Sequence, residues 1–94
     1  GGENLAASLI NGYNIKSKEA QRQIKNLTRS IFQMSYDEIK TGKDNPEFLN
    51  TFNQLGEVVK NNANILKNVW GFMMHSTDIS KVFQISKFLK SYRT

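Results

Sequence analysis

Apolar residues recur at spacings of three and four along most of the chain, and this periodicity predicts α-helices. Period-two alternation, which is typical of strands, never persists for more than a few residues. A short first helix is predicted over residues 3–11, with Gly12 ending it. Its apolar positions are Leu5, Ala6, Leu9 and Ile10.

A long second helix is predicted over residues 17–41. Ser17 is a suitable N-cap, and Gly42 can end the helix in a left-handed conformation. Ser35 opens a capping-box pattern, so a break there is the alternative to a continuous helix, which we favour. The core stripe of this helix comprises Ala20, Ile24, Leu27, Ile31 and Met34.

A third helix is predicted over residues 46–74, because Asn45 can cap it and Pro46 suits the first helical position. Ser76, Thr77 and Asp78 then separate it from a last helix near residues 78–92. The third helix carries an unbroken heptad seam with one polar member: Phe48, Phe52, Leu55, Val59, Asn62, Leu66, Val69 and Met73.

The helices predicted over 17–41 and 46–74 would be about 37 and 43 Å long at 1.5 Å per residue. The short link between them predicts an antiparallel helical hairpin with coiled-coil-like packing. The short N-terminal helix and the C-terminal helix would then cover its open side. We therefore expect a small all-α helical bundle that forms one domain over residues 1–94.

Composition narrows the function classes. The 94 residues include no cysteine and one histidine, so neither a Cys-ligated metal site nor a multi-histidine site fits within one chain. Phosphate-binding loops and metalloprotease motifs are missing, and His75 lies in a predicted turn where capping explains its Ser and Asp neighbours. We expect no enzyme activity, no cofactor, no metal and no small-molecule substrate.

The chain begins Gly1-Gly2 and not with methionine, which suggests a cloning remnant, a processed chain or a domain cut from a longer protein. It contains no apolar run long enough to span a membrane and no recognisable signal peptide. The expected location is therefore the cytoplasm, and membrane binding is not expected.

Thirteen Lys and Arg against eight Asp and Glu give a net charge of +5, which permits acidic partners. Four cations at spacings of four, three and four should form a basic row on the second helix, opposite its core stripe, with Glu19 off the row. The basic row could bind phosphates or an acidic protein, or could simply be solvated. It comprises Lys18, Arg22, Lys25 and Arg29.

Further along the same face, Phe32 and Tyr36 turn the surface from cationic to aromatic, unless another helix covers them. The chain after Asp78 contains no acid, and we take Lys87 and Lys90 from it as further candidate anion contacts. Cations beside aromatic side chains suit base stacking on single-stranded nucleic acid, and they equally suit a protein groove.

Two features predict protein association. Asn62 lies in the apolar seam, where an asparagine can fix register or oligomeric state by pairing across helices; the alternative is a hydrated position at the edge of the seam. Ile79 and Phe83 lie off the inner stripe of the last helix and could dock a partner or contact the first helix. These features favour a non-catalytic helical interaction module that binds a protein partner or itself, with a nucleic-acid-binding domain as the alternative.

Overall fold

The computed structural model describes residues 2–34 and 46–64, which form three α-helices and no strand. Helix α1 spans Gly2–Gly12, α2 spans Lys18–Gln33 and α3 spans Pro46–Asn62. The all-α prediction is confirmed over these ranges. The link between the two long helices and the predicted C-terminal helix lie outside the described residues, so the antiparallel hairpin and the complete bundle stay predictions.

Helix α2 packs against both α1 and α3. All three helices contribute to one apolar core, and Phe48 and Phe52 bring their ring centroids to 6.2 Å in a tilted pair. This separation lies in the favourable range for aromatic pairs. The buried hydrophobic residues within residues 2–34 and 46–64 are Leu5, Ala6, Leu9, Tyr13, Ile15, Ala20, Ile24, Ile31, Phe48, Leu49, Phe52, Leu55 and Val59.

The short connection from α1 to α2 is closed by local hydrogen bonds. Asn14 adopts a left-handed conformation with φ 52°, which asparagine tolerates better than most residues. The backbone N–H of Ile15 then donates to the carbonyl of Ile10 at 2.9 Å. The turn therefore brings Tyr13 and Ile15, both buried, into the core.

The start of α2 is confirmed as predicted. Ser17 has an extended backbone, and its hydroxyl accepts a hydrogen bond from the backbone N–H of Ala20 at 3.2 Å. This bond satisfies one of the amide groups that a helix N-terminus leaves without an intrahelical acceptor. Pro46 is likewise confirmed as the first residue of α3.

The prediction that the second helix continues unbroken to Thr41 is wrong. Helix α2 ends at Gln33, because Met34 has an extended backbone and its N–H donates to the carbonyl of Ile31 at 3.2 Å, a bond that closes the last turn. The sequence offers a reason, since the Ser35 capping-box pattern competes with helix continuation at this point. Residues 35–45 lie outside the described ranges.

The predicted extent of the third helix, to residue 74, is also wrong. Helix α3 ends at Asn62, whose side-chain Nδ2 donates to the carbonyl of Val58 at 2.8 Å. Two residues later, Asn64 uses its backbone and side-chain N–H groups to bind the α1–α2 turn instead of its own helix. Asparagine side chains compete with helical hydrogen bonding, and three of them between residues 61 and 64 explain the break.

Candidate interaction surface

The four cations of the basic row all lie on α2, and all are exposed. The opposite side of α2 is buried at Ala20, Ile24 and Ile31, while Leu27 and Met34 are half-buried against the core. The basic row therefore lies on the exposed side of α2, opposite the side that faces the core. Its four members nevertheless differ in their surroundings.

Arg22 is paired within its own helix. Its guanidinium donates to the carboxylate of Glu19, and Gln23 donates to the other carboxylate oxygen at 3.5 Å. The hydrogen bond and charge of Arg22 lower the pKa of Glu19, and Glu19 correspondingly raises the pKa of Arg22. Glu19 was expected to lie off the basic row, but its side chain reaches one member and compensates that charge.

Lys25 and Arg29 have no ion-pair partner among residues 2–34 and 46–64. They line a groove between α1 and α2, hereafter the α1–α2 groove, that encloses about 740 Å³. Because they lie four residues apart on one helix, they are separated by about 6 Å along its axis. The second half of the basic row therefore combines a concave surface with charge that no described residue compensates.

Part of the remaining lining of the α1–α2 groove is an apolar wall, formed by Ala7, Ile10 and Phe32. Ile10 and Phe32 are half-buried and pack against the core, whereas Ala7 is exposed. Glu3 is the acidic residue among the described residues of the lining. The described residues of the lining are Gly2, Glu3, Asn4, Ala6, Ala7 and Ile10 from α1, and Lys25, Thr28, Arg29, Phe32 and Gln33 from α2.

The two helices approach each other closely at one end of this groove. A Cβ atom at Gly2 would lie 3.1 Å from the carbonyl oxygen of Thr28 and 3.4 Å from the Cα of Arg29. Only a residue without a side chain fits this approach without a shift of the backbone. The contact fixes the first turn of α1 beside Arg29.

Thr28 is a buried residue that the apolar pattern did not identify. Its side chain is 1% exposed, and its hydroxyl donates to the carbonyls of Ile24 at 2.8 Å and Lys25 at 3.0 Å. Its place in the sequence could have predicted its burial, because Thr28 lies four residues after Ile24 and three before Ile31. A threonine at such a position can bury its methyl group while its hydroxyl binds its own helix.

A second, shallower groove lies between α2 and α3 and encloses about 670 Å³. Amide side chains dominate its lining, which comprises Gln23, Asn26, Leu27, Asn50, Asn53, Gln54, Glu57 and Val58. Asn62 is not among these residues; it is half-buried at the end of α3 and binds a carbonyl of its own helix. Its role in register or oligomeric state stays a prediction.

The other residues predicted to contact a partner lie outside the described ranges, so their contacts stay predictions. Of the predicted aromatic and apolar contacts, Phe32 is the member that falls within residues 2–34 and 46–64. The remaining predicted contacts are Tyr36, Ile79, Phe83, Lys87 and Lys90.

Within the described ranges, no group of three or more His, Cys, Asp and Glu side chains is arranged to hold a metal ion. None of the helices in those ranges combines the length and apolar character needed to cross a membrane. Comparisons with protein-family models, curated proteins and solved structures give no match to this chain.

Proposed function

We propose that this chain is a non-catalytic helical interaction module that binds a protein segment in the α1–α2 groove. The observation that carries the proposal is the juxtaposition of half-buried Ile10 and Phe32 with exposed Lys25 and Arg29 around one concavity. Its volume of about 740 Å³ lies within the range of ligand sites. Apolar grooves between helices are a recurring way to bind an amphipathic segment.

The non-catalytic character of the proposal rests on the sequence. The chain has one histidine and no cysteine, and its glycines form no phosphate-binding motif. Among residues 2–34 and 46–64, one carboxylate lines the groove, that of Glu3, whereas general acid–base catalysis commonly uses two positioned titratable groups. Binding of a partner therefore fits the residues that line the groove better than catalysis does.

Site-specific photocrosslinking in the cells that naturally make the protein tests the proposal. A photoreactive phenylalanine analogue replaces Ala7, which is exposed and lines the groove, and in a matched control it replaces Asn61, which is exposed on α3 outside the groove. We expect a discrete protein adduct from position 7 that is missing from position 61. An adduct with twice the mass of the chain would identify a second copy as the partner.

Equal adducts at both positions, or none at position 7, would contradict the proposal. Self-association has an additional test, because Asn62→Leu should change the mass measured by sedimentation equilibrium if the heptad seam is an intermolecular contact. An unchanged mass would exclude a role of Asn62 in oligomeric state.

Nucleic-acid binding is the second candidate, and one observation favours it. Phe32 lines the same groove as Lys25 and Arg29, and an aromatic ring beside cations can stack on an unpaired base. Fluorescence anisotropy with short single- and double-stranded oligonucleotides at two salt concentrations tests this candidate. Binding that weakens steeply with salt, and disappears when all four members of the basic row are changed to Glu, would support it. No binding at low salt would exclude it.

A further inference from the structure

The α1–α2 groove combines a positive rim with an apolar wall, and this combination defines the chemistry of its occupant. From this charge complementarity we infer that the groove binds an acidic amphipathic helix, with apolar side chains against Ile10 and Phe32 and carboxylates at Lys25 and Arg29. The inference deepens the proposed function and rests on it. It assigns recognition of the partner's carboxylates to Lys25 and Arg29, the second half of the basic row.

The spacing of the two cations sets the spacing of the carboxylates. Lys25 and Arg29 lie one helical turn apart, about 6 Å along the axis. Two carboxylates three or four residues apart on a partner helix have a matching separation. We therefore expect the partner helix to carry an acidic pair of this kind next to an apolar stripe.

The electrostatics of α2 explain why the first half of the basic row is left out. Arg22 already donates to Glu19, and neither of these residues lines the groove. Lys25 and Arg29, in contrast, repel each other across one turn in the free protein. A pair of carboxylates on a partner relieves this repulsion, whereas the described part of the lining, with Glu3 against Lys25 and Arg29, has an excess of one positive charge.

The apolar wall provides the second requirement. Ala6 is buried under the groove, and exposed Ala7 leaves room between the helices for a partner side chain. A longer side chain at position 7 would occupy this space without disturbing the core, because Ala7 faces solvent. Ala7→Gln therefore blocks the groove sterically while leaving its charge unchanged.

A fluorescein-labelled synthetic helical peptide provides the probe. It carries leucines on one face and two glutamates one turn apart, and its binding to the full chain is followed by fluorescence anisotropy at about 0.15 M salt. We expect saturable binding that weakens at least about tenfold in the double variant Lys25→Glu and Arg29→Glu, because attraction becomes repulsion at both positions. Ala7→Gln should weaken it at least about fivefold.

Two matched controls separate local recognition from overall charge. The double variant Lys16→Glu and Lys18→Glu changes net charge by the same amount at exposed positions outside the groove, and its affinity should stay within about twofold of the original. A peptide with glutamine in place of both glutamates should bind at least about tenfold more weakly. Circular dichroism confirms that each variant keeps its helical content.

The outcomes distinguish this inference from the proposed function. Equal binding of the glutamine peptide, blocked by Ala7→Gln, would keep the groove as a protein-docking site but overturn the acidic partner. Equal losses of peptide affinity in the two double variants would show that binding depends on net charge alone, and would overturn the inference. Failure of both peptides to bind would overturn it as well, while the crosslink at position 7 would still decide the proposed function. Competition by an oligonucleotide that binds more tightly than the acidic peptide would reassign the groove to nucleic acid.

Discussion

The charge of Arg22 is compensated inside its own helix, whereas the charges of Lys25 and Arg29 are not compensated among the described residues. The difference depends on Glu19, three residues before Arg22. Periodicity placed all of these side chains on α2 but did not show which cation the carboxylate would reach. The ion pair between Arg22 and Glu19 therefore makes the first half of the basic row chemically different from the second half.

Arg22→Gln should raise the pKa of Glu19 toward its ordinary value, because the guanidinium that stabilises the carboxylate is lost. Since folding lowers this pKa, the pair contributes stability above the pKa of the unfolded chain and loses it as pH falls through the folded value. Titration of the Glu19 carboxyl carbon by NMR measures the shift. Lys25→Gln removes the same charge without breaking the pair and should leave the titration close to that of the original protein; equal shifts would contradict this account.

Thr28→Val should change the free energy of unfolding by less than about 1 kcal/mol. The two carbonyls that accept from the Thr28 hydroxyl lie within α2, where they also accept helical N–H groups, so its loss leaves no buried acceptor unpaired. Thr28→Ala should cost about 1–2 kcal/mol, because it also removes a buried methyl group. Urea denaturation compares the two; a larger cost for valine would show that the hydroxyl has another role.

Helix starts in this chain depend on local chemistry, and the sequence predicted them well. Ser17 caps α2, and Pro46 begins α3, because each residue type satisfies or avoids the unpaired N–H groups of a first turn. The end of α1 at Gly12 was also predicted, but the ends of the two longer helices were not. The ends of α2 and α3 depend on competition near Met34 and among Asn61, Asn62 and Asn64, which hydrophobic periodicity does not detect.

Ser17→Ala should destabilise the protein by about 1 kcal/mol, because the N–H of Ala20 loses its acceptor. Ser30→Ala is the matched control, since the Ser30 hydroxyl is exposed on the same helix and donates to the Asn26 carbonyl at 3.1 Å. That change should be neutral or slightly stabilising, because alanine favours helix more than serine does. Equal effects of the two changes in thermal or urea unfolding would argue against a capping role for Ser17.

The whole molecule brings together segments that no local pattern connects. The α1–α2 groove exists because the first turn of α1 lies against Thr28. Sequence periodicity placed Phe32 on the same face as the basic row, but it did not predict the part of the groove that α1 contributes. The core residues Phe48, Phe52, Leu55 and Val59 were predicted because the heptad alone identifies the buried side of α3. A surface formed by two helices, in contrast, requires knowledge of their packing.

Asn64→Ala should lower the free energy of unfolding by about 0.5–1.5 kcal/mol, since it removes the 2.8 Å hydrogen bond from the side-chain Nδ2 to the carbonyl of Asn14. The backbone N–H of Asn64 would still donate to the carbonyl of Tyr13. Asn61→Ala, at an exposed position on α3, is the control and should have no destabilising effect. Urea denaturation of both variants gives the difference, and an unchanged stability of Asn64→Ala would exclude an anchoring role for this side chain.

The contact between Asn64 and the α1–α2 turn also has a consequence for the order of folding. It joins positions 50 residues apart, so the two ends of the intervening chain must meet before the hydrogen bond can form. The contacts between α1 and α2 are much more local and carry a smaller loop-closure penalty. We therefore expect α1 and α2 to associate before the transition state and the Asn64 contact to form after it. In stopped-flow kinetics, Asn64→Ala would then accelerate unfolding and leave the refolding rate nearly unchanged.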